Sequence, residues 1–179
     1  MKILARLTVA AILTGTAFCV GPLGADTDEM LPEVRRVITL GGEGGSAVVL
    51  ADGASQNSLI LNGSRITRIW ETQEMPVSLH IEGDKGATAG NAYRDGFVGS
   101  SLYVADIPAG SDLSDIPLHA QDSLDYIAVL EGEIDLVLPD RSIKLQSGDI
   151  LVQAGNYHSW ANVSDSPCRL LVVVLTGRR

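Results

Sequence analysis

The stretch that decides the fold is "LDYIAVLEGEIDLVLPDRSIKLQSGDILVQAGNYHSWANVSDSPCRLLVVVL", residues 124–175. It holds six short apolar segments separated by glycine, Pro-Asp or Ser-Asp turns. In "EIDLVLPD", Ile134, Leu136 and Leu138 alternate with mostly polar neighbours, which is the period of a strand with one buried face. Short strands at this spacing predict an all-β protein, built as a sandwich or a closed antiparallel barrel.

Two hairpins are predicted upstream of this stretch. "VRRVITL" and "SAVVLAD" flank the glycine-rich segment "GGEGG" (residues 41–45), which is typical of a hairpin connection. Asn62-Gly63 lies between two further strand-like segments, and this dipeptide favours a two-residue turn. Both hairpins fit the all-β prediction.

Residues 76–108 have a mixed pattern. "PVSLHIEG" (76–83) is a further candidate strand, which would place His80 on an edge strand, and "SSLYVADIP" resumes the strand pattern at residue 100. Between them, residues 84–99 are rich in Gly, Ala and Asp without periodicity, and we expect a long surface loop. We find no internal repeat, so residues 26–179 are predicted to form one domain.

The first 25 residues differ from the rest of the chain. "MKILARLTVAAILTGTAFCVGPLGA" opens with Lys2 and Arg6, continues with an apolar run and ends in small residues. This order predicts a secretory signal peptide over residues 1–25, cleaved near Ala25. Its apolar run is shorter than the roughly 20 residues of a stable span. We therefore expect a secreted or periplasmic protein with no stable membrane span after cleavage.

Composition limits the possible partners. The 179-residue chain is 45% hydrophobic and 20% charged, which is typical of a globular domain. Its net charge of −9 becomes −11 when Lys2 and Arg6 are removed. Nucleic acids and anionic membranes are therefore unfavourable partners. Cys168 is the one cysteine left after cleavage, which excludes a disulfide within the mature chain. Because it heads an apolar run, we expect a buried, inert thiol.

The candidate chemistry rests on two of the three histidines. If the strand runs through without a bulge, His119, Gln121 and Asp125 share one face, and His158 is close to them from a later strand. Polar groups inside a barrel need partners or a bound ion. Two imidazoles and a carboxylate suit Fe(II), or Mn, Zn or Ni. The same spacing also fits hydrogen-bonded polar residues at the mouth of a barrel.

Neighbouring residues are candidates for contact with a ligand. Trp160 shares parity with His158, so it either lines the pocket and stacks on a planar substrate or packs in the core. Tyr126 has opposite parity to Asp125, which favours packing outside the barrel over a role in the pocket. Gln153 is a further candidate substrate contact. Asn162 is expected to fix a turn or to orient a ligand.

The two motif regions, residues 117–132 and 148–162, resemble those of the cupin superfamily. The family motifs read G-x5-H-x-H-x3–4-E-x6-G and G-x5-P-x-G-x2-H-x3-N. His119 matches the first histidine and Asp125 the acidic position, while "GNYHSWAN" keeps the G-x2-H-x3-N spacing. The chain is more similar still to a small single-domain cupin group, bacterial and fungal. The residues that carry this closer resemblance are Ser123, Asp125, Tyr126, Val129, Leu130, Gly132, Glu133, Gln153 and Trp160.

The sequence departs from the family pattern at several positions. Gln121 occupies the place of the second histidine, Asp125 replaces the usual Glu, and the motif proline is missing. Ala154 stands where Arg is common. The resemblance thus implies three metal ligands, namely His119, Asp125 and His158, with Gln121 as a weak fourth.

The resemblance also implies a fold and a range of functions. The expected fold is a cupin-type antiparallel β-barrel (double-stranded β-helix or jelly roll), and small cupins pair through outer strands, so a homodimer is expected. One hypothesis is a metal-dependent enzyme acting on a small aromatic or polyketide-like molecule, either a dioxygenase-like oxidoreductase or an isomerase or decarboxylase. A second is a metal-free module that binds a small ligand without converting it. A third is a structural domain that chiefly dimerises.

Overall fold

The computed structural model describes residues 30–90, 96–110 and 118–178, so the predicted signal peptide lies outside the described residues. Within these ranges the chain is built from strands, with one short 3-10 turn at Glu43–Gly45. The strands are β1 (Arg35–Gly41), β2 (Ala47–Ala54), β3 (Ser58–Leu61), β4 (Ser64–Thr72), β5 (Ser100–Ile107), β6 (Ser123–Glu131), β7 (Glu133–Val137), β8 (Ser142–Gln146), β9 (Ile150–Ala154), β10 (Ser159–Ala161) and β11 (Cys168–Thr176).

The strands form three antiparallel sheets. The largest has the order β3-β4-β5-β11-β6-β9, a second has the order β10-β7-β8, and β1 pairs with β2 alone. The core packs between the two larger sheets, where Ile127 and Val129 of β6 meet Ile134 of β7 and Leu170 and Val172 of β11. These side chains lie at alternate positions, because successive side chains of a strand point to opposite faces. The all-β prediction is confirmed.

The strand and turn predictions hold for most of the chain. Each of the six segments predicted within residues 124–175 forms a strand, β6 to β11. The glycine-rich segment joins β1 to β2, and Asn62-Gly63 joins β3 to β4. Asn62 and Gly63 have φ values of 49° and 80°, the left-handed conformation that a type I′ hairpin turn requires.

The prediction of a strand over residues 76–83 is wrong. This segment consists of bends without a pairing partner among the described residues. Pro76 has no N–H to donate to a sheet, and Leu79 is 86% exposed, so the segment leaves apolar surface unburied that a paired strand would bury. His80 consequently lies in an exposed loop and not on an edge strand.

An ion pair fastens the following loop to the sheets. Arg36 of β1 is buried and donates to the Ile69 carbonyl of β4, and it pairs with Asp84, with 2.7 Å between Nη1 and Oδ1. Asp84 also accepts the backbone N–H groups of Gly86 and Ala87. The Arg36 hydrogen bond lowers the pKa of Asp84 to about 2. Residues 84–90 and 96–99 contain turns and no strand, as the sequence predicts for a surface loop. The ion pair of Arg36 and Asp84 nevertheless anchors this loop to the sheets.

A second ion cluster holds the start of the described chain. Asp106 of β5 is fully buried between two arginines, with Arg169 Nε 2.6 Å from its Oδ1 and Arg65 Nε 2.9 Å from its Oδ2. Both arginines also donate to main-chain carbonyls, Arg65 to Leu31 and Arg169 to Pro32. The two arginines share one carboxylate, and each uses a further N–H group to hold the main chain of residues 31 and 32 against the sheet.

Two residues near the C-terminal strand have the environments that the sequence predicts. Asn162 is fully buried, and its Nδ2 donates to the carbonyls of Ile107, Pro108 and Ser166. It therefore fixes the turn before β11. Cys168 is fully buried, and burial raises its pKa to about 12, which leaves the thiol protonated and inert.

No helix in the described ranges is long and apolar enough to cross a membrane.

Candidate functional site

A cavity of about 160 Å³ lies inside the barrel, and both sheets contribute to its wall. Most of the wall is apolar and comes from β3, β4, β5, β6, β10 and β11. These residues are Leu61, Ile66, Ala105, Ile107, Ile127, Leu170 and Val172, with the rings of Tyr103 and Trp160. The polar groups on the wall are Asn62, Ser64, His119, Asp125, Gln153 and His158. An apolar pocket with a few convergent polar groups is the usual form of a small-molecule site.

The two histidines predicted from the sequence face each other across an isolated antiparallel bridge. His119 N–H donates to the His158 carbonyl at 3.0 Å, and His158 N–H donates to the His119 carbonyl at 2.9 Å. The bridge brings the ring centroids to 4.4 Å. Trp160 stands edge-on to His158, with ring centroids 6.0 Å apart. The main chain therefore fixes this group of three rings at the cavity wall.

Hydrogen bonding and burial define the state of each imidazole. The Nδ1 atom of His158 lies 3.1 Å from the Asn156 carbonyl, which can only accept, so this contact places a proton on Nδ1, and in the neutral ring the lone pair is then on Nε2. Burial lowers the pKa of His119, and the neighbouring His158 lowers it further. A neutral His119 is thereby favoured next to His158, because two cations at this distance would repel.

Asp125 is the carboxylate of the site. It lies on β6 with the same parity as the core residues Ile127 and Val129 and is 4% exposed. Burial raises the pKa of Asp125, against the opposing effects of a hydrogen bond from Ser123 and of the charge of His158. Its Oδ1 atom has no hydrogen-bond partner among the described residues. A carboxyl group with a raised pKa and an open oxygen is suited to exchange a proton with a ligand.

Gln153 and Ser64 add further open groups to the same wall. Gln153 on β9 pairs with Asp125 in the sheet register and is 3% exposed. Within the described residues, neither of its amide atoms has a hydrogen-bond partner, and the same holds for Ser64 Oγ. We call Ser64 Oγ, Asp125 Oδ1, Gln153 Oε1 and Gln153 Nε2 the open polar atoms. No pattern in the sequence marks Ser64, since it is one polar residue after a turn.

The structure separates two predicted site residues from the cavity. β6 begins at Ser123, so the continuous strand assumed for His119, Gln121 and Asp125 does not exist. Gln121 lies instead in a surface depression with Leu124, Ala154 and Arg178, and the expectation that it faces the cavity is wrong. Tyr126 is 42% exposed on the outer face of β6 and does not line the cavity, whereas Gln153 and Trp160 do.

Comparison with known proteins agrees with this architecture. A protein-family model described as a cupin domain matches residues 103–174. The cupin-domain-containing oxidoreductase fogC of Aspergillus ruber is 30% identical over 151 residues, covering 79% of this chain and 71% of that protein. Phomopsin biosynthesis cluster protein C′ of Diaporthe leptostromiformis is 41% identical over 78 residues. That match covers 42% of this chain and spans 39% of the length of the relative.

A solved structure shows the same fold. The cupin domain of Schizosaccharomyces pombe Cnp3 superposes with a TM-score of 0.51 at 14% identity, over 81% of this chain and 89% of that chain. The architecture is thus the antiparallel double-stranded β-helix, or jelly roll, that the motifs predicted. The relative that is 30% identical over 79% of this chain shows that the chain belongs to the cupin superfamily, and the architecture agrees.

The resemblance to metal cupins can be tested against the residues present. Two imidazoles, one with a lone pair on Nε2, and a carboxylate with an open oxygen are donor types that suit a divalent transition metal. However, the described residues contain no group of three His, Cys, Asp or Glu side chains arranged to hold a metal ion. The three predicted ligands do not form a complete centre as they stand, and we derive no chemical step through a metal.

Proposed function

We propose that the barrel is the site of an enzyme acting on a small, largely apolar organic molecule that carries oxygen. The observation that carries this proposal is the largely apolar cavity with Asp125 and the histidine pair on its wall. An apolar protein cavity of about 150 Å³ holds benzene, so a volume of about 160 Å³ fits a molecule with one ring. The cupin-domain oxidoreductase relative supports an enzyme of this kind.

The residues of the chain provide proton transfer in this proposal. Oxidation, isomerisation and decarboxylation of hydroxy or carbonyl compounds each require a proton to leave or reach the reacting atoms. Asp125, whose pKa is raised by burial and whose Oδ1 is open, exchanges that proton with the ligand. His158 accepts a proton through Nε2 while its Nδ1–H stays bonded to the Asn156 carbonyl. The apolar wall excludes water from the exchange.

Hydrogen–deuterium exchange tests this role without knowledge of the natural substrate. Acetophenone has one ring and a methyl group whose protons exchange through the enol, so the purified chain should accelerate deuterium uptake into that methyl group. We expect Asp125→Asn to reduce the acceleration by about tenfold or more. The control, Asp140→Asn, replaces an exposed carboxylate outside the cavity and should exchange as wild type.

Two results of this experiment would contradict the enzyme proposal. If acetophenone binds but exchange is no faster than in buffer, the domain is a binding module that leaves its ligand unchanged. If Asp125→Asn accelerates exchange as well as wild type does, the proton transfer arises elsewhere. Fluorescence of Trp160, which lines the cavity, reports binding independently of exchange.

The metal expectation remains a prediction with its own measurement. The sequence predicts Fe, Mn, Zn or Ni at His119, Asp125 and His158, and the donor types support it. Metal analysis of the purified chain after reconstitution should then give close to one equivalent, and His158→Ala should lower it. The variant His80→Ala removes an exposed loop histidine and serves as the control. No stoichiometric metal in the wild-type chain would end this prediction.

We also propose a homodimer of an exported protein. The edge strand β9 presents Ile150 and Val152, 70% and 56% exposed, beside Tyr126 of β6. An exposed apolar edge favours pairing with another copy.

The proposal of export rests on residues 1–25 alone. N-terminal sequencing of the protein recovered from its native compartment tests it, and the expected result is a new terminus near residue 26.

A further inference from the structure

Gln153 is a buried amide with no partner inside the protein, and the alternation of β9 explains why it is there. Ile150 and Val152 point outward and are exposed, so Leu151 and Gln153 point into the barrel. Gln153 is 3% exposed and lines the cavity. Its amide oxygen and nitrogen are both open polar atoms in the part of the chain that the structure describes.

An amide in this position is costly unless something in the cavity binds it. Burying an amide without hydrogen bonds costs roughly 1–3 kcal/mol, and an apolar residue of the same shape avoids that cost. Asp125 Oδ1, on the residue paired with Gln153, is open as well. Since the described protein groups leave these neighbouring atoms without partners, the atoms are available to bind a ligand in the cavity.

The chemistry of the amide restricts that ligand. Gln153 offers an N–H donor and a carbonyl acceptor side by side. A metal ion satisfies only the oxygen, and a ketone or an anion satisfies only the nitrogen. A carboxylate ligand would also bring negative charge close to Asp125 in a chain whose net charge is −9. A carboxamide or lactam is neutral and presents a donor beside an acceptor, so it pairs with Gln153 through two hydrogen bonds.

We propose that Gln153 is the specificity-determining residue of the cavity and that it selects a ligand carrying a neutral carboxamide or lactam group. This inference rests on the proposed function, because it requires that the cavity binds a small organic molecule. The apolar wall, which includes Ile127, Leu170, Val172 and Trp160, contacts the ring or chain that carries the amide.

Binding of three matched probes tests the proposal. Benzamide and acetophenone have nearly the same shape, but only benzamide has N–H donors next to its carbonyl group, and benzoate has the same ring with a negative charge. In NMR titrations of the purified chain, we expect benzamide to bind about tenfold more tightly than acetophenone, and benzoate to bind most weakly. In Gln153→Met, the ratio between benzamide and acetophenone should fall to about one.

Thermal unfolding separates a ligand-binding role from a structural one. If Gln153 serves the ligand, Gln153→Met and Gln153→Leu should keep or raise the melting temperature while losing the preference for benzamide. Gln146→Met, at an exposed position on β8, should change neither property. A lower melting temperature with an unchanged preference for benzamide would show a structural role and overturn the proposal.

The remaining outcomes distinguish this inference from the proposed function. If benzamide and acetophenone bind equally well to wild type, the cavity binds small molecules, but Gln153 does not select them, and water satisfies its amide. If none of the probes binds, both the inference and the proposed function are wrong. Each of these results contradicts the selection of a carboxamide by Gln153.

Discussion

Asp125 and Gln121 show that a residue of the first motif reaches the cavity wall only where the strand fixes its direction. Both belong to the motif that the sequence suggests as a ligand set, and both were expected to share a face. Asp125 lies inside β6, where the sheet fixes its direction, and it is 4% exposed on the cavity wall. Gln121 precedes the strand and lies in a separate surface depression. Of the four ligands that the motifs suggest, the cavity wall therefore holds the two histidines and the carboxylate but not Gln121.

Asn162, the last residue of the second motif, acts through the main chain. Its Nδ2 donates to three carbonyls, at 3.0 to 3.2 Å, and none of this atom is exposed. Asn162→Ala should lower the free energy of unfolding by about 3 kcal/mol, because buried carbonyls lose their donor. Asn162→Asp should be at least as destabilising, since a carboxylate repels the same carbonyls. Urea denaturation measures both variants.

The matched control for Asn162 is Asn156→Ala. Asn156 is exposed, and its side chain donates to the carbonyl of the next residue. Its loss should change the stability by less than about 0.5 kcal/mol. Equal stabilities of Asn162→Ala and Asn156→Ala would contradict the role of Asn162 as the anchor of this turn.

Among the elements, the strands and turns whose conformation depends on neighbouring residues were predicted from the sequence. Alternation and turn residues predicted the six strands from β6 to β11, and Asn62-Gly63 predicted the β3–β4 hairpin. Residues 76–83 have a similar apolar content, but a strand there would need a partner, which no local signal provides. The cavity itself was predicted only through single residues, namely His119, Asp125 and His158 as ligands and Trp160 and Gln153 as substrate contacts. The open amide of Gln153 depends on which groups pack around it, and that is a property of the tertiary structure.

The pair of Arg36 and Asp84 was not predicted, because it joins residues 48 positions apart. The pKa of Asp84 is lowered from 3.8 to about 2, so this pair stabilises the fold above about pH 4, and the stabilisation is lost as the pH falls towards 2. A shift of this size corresponds to about 2 kcal/mol. Asp84→Asn should remove this contribution at neutral pH and leave Arg36 buried without its carboxylate.

Unfolding free energies measured between about pH 2 and pH 7 test this prediction. The difference between wild type and Asp84→Asn should be largest at neutral pH and should shrink on acidification. Asp140→Asn is the control, because Asp140 and its partner Arg141 are both exposed and contribute little. A constant difference between wild type and Asp84→Asn across this range would contradict a linked titration.

At the scale of the whole molecule, apolar surface remains on the outside of the barrel. Tyr126 pairs with Val152 and Ala128 with Ile150 on the outer face of β6 and β9, and the patch ends at the sheet edge. The hairpin of β1 and β2 adds exposed valines, among them Val49 at 61%. These surfaces are the basis for the proposed homodimer.

Sedimentation velocity tests the homodimer directly. Wild type should sediment as a dimer at micromolar concentration, and Val152→Lys should shift it towards the monomer, because a buried lysine without a partner opposes pairing. Val163→Lys is the control, since Val163 is also more than half exposed but lies in the turn between β10 and β11. A monomeric wild type, or a dimer that tolerates Val152→Lys, would contradict pairing through β9.

We expect a small organic molecule to bind in the cavity inside the barrel, and nuclear Overhauser effects between the ring protons of bound acetophenone and protein methyl groups test this. The expected contacts are to Ile127, Leu170 and Val172, which line this cavity. Another depression, of about 270 Å³, lies beside Val77 and Ile81. Contacts to Val77 and Ile81 instead, with none to the cavity methyl groups, would contradict binding inside the barrel.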